Sequence, residues 1–161
     1  MRNKRRIAFY FLIIVLITVS CTIVNCIGRE DEPSENESGT YRVELKYSGE
    51  YQKWTEKLTV SAIVKKNTVP TVSGIDVLST KKVSDTEYVF EAQENLPMQK
   101  SFTTSANVKI LSVNGEMHLN NTDSGEMTVG IKVFKDDRLK FELPFIFKDA
   151  GSYPHYNVNV K

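Results

Sequence analysis

Proton transfer or metal ligation near neutral pH would fall to the two histidines, His118 and His155. They stand far apart, and neither is followed by a second ligand at metal-site spacing, so no metal and no catalytic residue is expected. The only two cysteines, Cys21 and Cys26, adjoin an apolar start, which leaves the rest of the chain without a thiol for a disulfide or a nucleophile. No Gly-x-Ser-x-Gly elbow, Gly-rich phosphate loop or dinucleotide fingerprint occurs, so no cofactor is expected. Carboxylates from distant parts of the chain can meet in space, yet their number makes that a weak pointer to hydrolysis. Lys65-Lys66 and Lys81-Lys82 are too sparse for a nucleic-acid stripe.

Contact chemistry has a better claim. Tyr47, Tyr51 and Trp54, the only Trp, bracket a polar stretch, and His155 stands among Tyr153, Pro154 and Tyr156. Aromatics beside polar loops give a sugar or peptide large contact area at low entropic cost. Packing of Trp54 into a core is the commoner use of such a residue. The expected ligand contacts are therefore Tyr47, Tyr51, Trp54 and His155.

The 161 residues carry a net charge of +1, unevenly placed. Arg2, Lys4, Arg5 and Arg6 precede Cys21, while every acid follows it. A basic start before the unbroken apolar run Ile7 to Ile17 is the order of an export leader, and the run matches a signal core better than a spanning helix. Residues Ile17-Thr18-Val19-Ser20-Cys21 resemble the cleavage box of bacterial lipoproteins, in which the first mature residue is a lipid-modified Cys after a small residue. Thr18 departs from the aliphatic usual at its place, and Ile23-Val24-Asn25-Cys26 is the competing box. The resemblance implies lipidation of Cys21, with Cys26 the alternative, and a membrane held through acyl chains alone. Residues 29–39 carry five acids and almost nothing apolar, so they read as a solvated tether. An acidic stretch after the modified Cys is similar to the surface-export signal of Bacteroidetes-type lipoproteins. The expected organisation is a leader over 1–20, a lipidated tether over 21–39 and one folded domain over 40–161. The expected place is the bacterial envelope, at the outer membrane or cell surface, with an envelope protein or glycan as partner and no nucleic acid.

What must position any site is β structure. Tyr41, Val43, Leu45 and Tyr47 alternate with charges, and the same period of two recurs over Leu58–Val64, Phe102–Ile110, Met127–Val133, Leu139–Phe147 and Tyr156–Val160. Shorter strands are expected at 68–78 and 116–120. Asn114-Gly115 predicts a two-residue hairpin and Asp136-Asp137 a second one. Ser48-Gly49 marks a turn and Thr122–Gly125 a loop. Pro70 and Pro144 push their runs toward edges, bulges or strand starts. Residues 84–96 admit a capped helix or a strand, and the alternation of Tyr88, Phe90 and Ala92 favours strand. The expectation is an all-β antiparallel sandwich, Ig-like, of about 7–9 strands. It would act as a binding module and not as an enzyme. The alternatives are a closed barrel carrying an apolar ligand against Phe102, Phe141, Phe145 and Phe147, and a carboxylate hydrolase.

Overall fold

A computed structural model describes residues 37–120, 125–148 and 154–161. The leader, Cys21, Cys26, most of the tether and most of the Thr122–Gly125 loop lie outside the described residues. The described chain is an antiparallel β-sandwich, as the period of two requires. Its strands are β1 (Tyr41–Gly49), β2 (Trp54–Val64), β3 (Val72–Ser73), β4 (Ser79–Lys82), β5 (Glu87–Asn95), β6 (Gln99–Thr104), β7 (Val108–Leu119), β8 (Glu126–Lys135), β9 (Arg138–Lys148) and β10 (His155–Val160). One sheet runs β3-β6-β1-β8-β9 and the other β10-β7-β2-β5-β4. The count of ten exceeds the expected range because β3 and β4 are short edge pieces.

The alternation decides which side chains meet. Tyr41, Val43, Leu45 and Tyr47 of β1 and Met127, Val129, Ile131 and Val133 of β8 face Trp54, Leu58, Val60 and Ala62 of β2 across a filled interface. Phe102 and Phe147 belong to this core, and Phe141 and Phe145 pack half-buried against it. Two separate sheets replace the closed barrel weighed as an alternative.

Two local expectations need correction. Asn114-Gly115 is no hairpin: both residues lie inside the continuous strand β7. Gly115 pairs with Tyr156 on one side and with Leu58 on the other. An added Cβ there would lie 2.6 Å from the Tyr156 hydroxyl oxygen and closer still to the ring. Glycine is needed so that the Tyr156 ring can cross the strand, and not for a turn. Likewise Phe102–Ile110 is not one strand. The chain turns at Ser105–Asn107, where the Ser105 hydroxyl donates to Asn107 Oδ1 (2.5 Å) and accepts from the Thr71 N–H (3.0 Å). It leaves one sheet as β6 and enters the other as β7.

The strand expected over 68–78 shrinks to the two residues of β3, and 116–120 is the end of β7 and its exit, not a separate strand. The following expectations stand. Asp136 and Asp137 take φ of 49° and 61° in the β8–β9 hairpin, the paired left-handed conformation that matches strand twist. Gly49 ends β1 at φ 77° before a 3-10 turn, Tyr51–Lys53, that carries the chain to the other sheet. Residues 87–95 form a strand. Pro144 sits in the edge strand β9. The Glu50 N–H donates to the Glu126 carbonyl (2.9 Å), so even-numbered residues of β8 turn their backbone groups to β1. Pro144, opposite Gly130, therefore stands where no ladder bond to β8 needs an N–H.

Candidate functional site

Even-numbered residues of β1 and β8 point away from the core, and on that outer face the register aligns them in rows. One row is Ser101, Glu44, Lys132 and Glu142; the next is Gln99, Lys46, Gly130 and Pro144. Over these rows lies an open cleft of about 970 Å³. Gly130, in the middle of the inner strand β8, contributes bare backbone to its lining. An added Cβ would meet nothing nearer than the Lys46 carbonyl oxygen, at 3.8 Å. Alanine would fit, and φ is not in the left-handed region. Packing gives no reason for this glycine.

The charges around the floor are unequal. Lys132 Nζ pairs with Glu142 at 2.9 Å, and that hydrogen-bonded carboxylate holds the Lys132 ammonium above its usual range. Arg42 pairs with Glu44 and stacks 3.9 Å over the Phe134 ring. Lys46 is exposed and has no ion-pair partner among the described residues. The cleft thus offers one free ammonium, the polar groups of Gln99 and Ser101, and an apolar wall at Leu143 and Pro144.

None of the expected contact residues lines it. Tyr47 and Trp54 are only 1 % exposed and belong to the core. Trp54 Nε1 lies beside Gly125 and has no hydrogen-bond partner among the described residues. Tyr51 is half-buried in the 3-10 turn and packs on the core. His155 is exposed at the start of β10, opposite Glu116, and His118 lies on β7 with Nε2 4.0 Å from Glu116 Oε2. No group of three metal-ligating residues occurs among the described residues.

A second polar feature is internal. Glu56 occupies an inward position of β2, and Lys100 an inward position of β6 in the opposite sheet. Lys100 Nζ lies 2.6 Å from Glu56 Oε2, the side chains being 6 % and 0 % exposed. The Tyr47 hydroxyl donates to Oε2 (2.8 Å) and the Tyr156 hydroxyl to Oε1 (2.7 Å). Burial, then the Glu56 charge, raise the Tyr156 hydroxyl well above its ordinary value. The four residues come from β1, β2, β6 and β10 and tie the two sheets together. Sequence reasoning missed this cluster. The available signal was a charge at apolar parity on two strands: Trp54-x-Glu56-x-Leu58, and Lys100 two residues before Phe102.

No family model matches the chain, and no curated protein matches it. Solved structures do resemble it. A DUF4425 family protein from Bacteroides ovatus superposes with a TM-score of 0.56 at 12% identity, covering 76% of this chain and 94% of that one. A DUF4425 domain of unknown function from Bacteroides vulgatus gives a TM-score of 0.55 at 12% identity, covering 77% and 94%. At such identity the likeness is one of fold.

Proposed function

We propose that the chain is a lipid-anchored lipoprotein of the bacterial cell envelope. In this reading its Ig-like sandwich is a binding module without enzymatic activity, displayed at the outer membrane or cell surface. The ligand lies on the outer face of the β3-β6-β1-β8-β9 sheet, over Gly130. One observation carries this. A glycine inside a strand costs about 0.5–1 kcal/mol relative to alanine, and here neither packing nor backbone conformation demands it. A bare backbone in that position suits close approach by another molecule. The free Lys46 ammonium and the Pro144 wall on either side favour a compact ligand with an acid group beside an apolar face. The two cleft acids, Glu44 and Glu142, are each held by a cation, which speaks for binding over hydrolysis.

The test probes the detergent-solubilised full chain on an array of acidic and neutral glycans and peptides. Gly130→Leu should abolish binding to any positive probe while leaving the melting temperature within a few degrees. Retained binding by a folded Gly130→Leu chain would place the ligand elsewhere.

A further inference from the structure

A Val pair at positions 56 and 100 would satisfy the alternation of both strands without cost. The chain instead buries a carboxylate and an ammonium between its sheets, where each ion carries a desolvation penalty and an apolar pair is often as stable. Their geometry suits a reaction. Lys100 reaches across from one inner face and Glu56 from the other, and the two sheets of a sandwich stand about 10 Å apart. Four methylenes, two methylenes and an amide span that gap. The reacting nitrogen is already in contact with the carboxyl group at 2.6 Å, and fixed pairs of this kind reach effective molarities of about 10⁵–10⁸ M.

We propose that Lys100 and Glu56 condense to an intramolecular amide that covalently joins β6 of one sheet to β2 of the other. The Lys100 ammonium passes one proton to Glu56 Oε2, leaving a neutral amine and a carboxylic acid. The nitrogen lone pair adds to Cδ, and Oε1 takes the charge while it accepts the Tyr156 hydroxyl hydrogen bond. A second proton leaves the nitrogen and reaches Oε2 through the Tyr47 hydroxyl, which already touches that oxygen. Oε2 departs as water and the carbonyl re-forms. Two charges are lost from the interior, one water is released, and no oxidant or cofactor is consumed. Exclusion of solvent from Glu56 opposes the reverse hydrolysis.

Peptide mapping of the full native chain, folded and incubated for days, decides the matter. Trypsin should yield a branched product in which Trp54–Lys57 is joined to Val83–Lys109, lighter by one water than the two together and uncut after Lys100. A Glu56→Ala chain should give the Lys100 cut. Free Trp54–Lys57 and complete cutting after Lys100 in the incubated native chain would overturn the proposal, whatever the variant does.

Discussion

Alanine at Gly115 tests how the interior is built. In the left-handed conformation of a hairpin turn, alanine would cost about 1 kcal/mol through backbone strain alone. Inside β7, φ of Gly115 is not left-handed, and alanine gains about 0.5–1 kcal/mol of strand preference. Against that gain, the new methyl overlaps the Tyr156 ring and must push it off the strand, an overpacking cost of about 1–3 kcal/mol. The displaced ring also gives up its 2.7 Å hydrogen bond to Glu56, and a bond to a charged group is worth about 1.5–3 kcal/mol. The net expectation is a loss of about 2–5 kcal/mol in urea unfolding, with an unchanged denaturant slope. The decisive measurement is the double-mutant cycle with Tyr156→Ala. Once the ring is gone the methyl has nothing to strike, so the coupling energy should exceed about 1 kcal/mol. Gly130→Ala is the control, because its methyl enters open space and should stabilise the fold by about 0.5–1 kcal/mol. Zero coupling between positions 115 and 156, or a Gly115→Ala chain as stable as the native one, would refute the packing argument.

Alkaline stability follows from two tyrosines. Burial, with Asp136 nearby, pushes the Tyr41 hydroxyl up to about 12, and Tyr156 is raised by burial and Glu56. Raised folded values mean that the neutral form is preferred in the fold, so this stability is complete below the ordinary value of 10.0 and is lost as pH climbs through the folded values. The tyrosinate absorbance should show late-titrating groups that appear together with loss of the β circular-dichroism signal; full titration near the ordinary value in a folded chain would contradict this. For the anchor, Cys21→Ser should move the chain from the membrane to the soluble fraction. Unchanged fractionation, with release only on Cys26→Ser, would assign the lipid to Cys26.

The period of two identified the outer and inner faces of β1, β8 and β10 from sequence because each has one wet face and one buried face. Where a strand breaks that rule, the sequence alone misled. Asn114-Gly115 has the composition of a turn, and only the pairing of Gly115 with Tyr156 shows that its missing side chain makes room for a ring from the neighbouring strand. The Ser105–Asn107 turn was hidden because Phe102, Thr104, Ala106, Val108 and Ile110 keep a common parity through it. Tyr47, Tyr51 and Trp54 read as a contact surface because they are aromatic and close in sequence, but strand parity turns Tyr47 and Trp54 inward.

Register separates the two mid-strand glycines, Gly115 and Gly130, which no composition rule distinguishes. One lies under a tyrosine ring and is explained by the interior; the other lies under open space and is explained by nothing within the fold. Glu56 and Lys100 are a parallel case, being charges at apolar parity whose partners are visible only when the two sheets are brought face to face. Each exception becomes informative once register is known, because register states which atom a side chain would otherwise have met. An exception that packing accounts for is structural, and one that it leaves over points outward. By that criterion Gly130 is where a ligand should be sought, and Glu56 with Lys100 is where covalent chemistry should be.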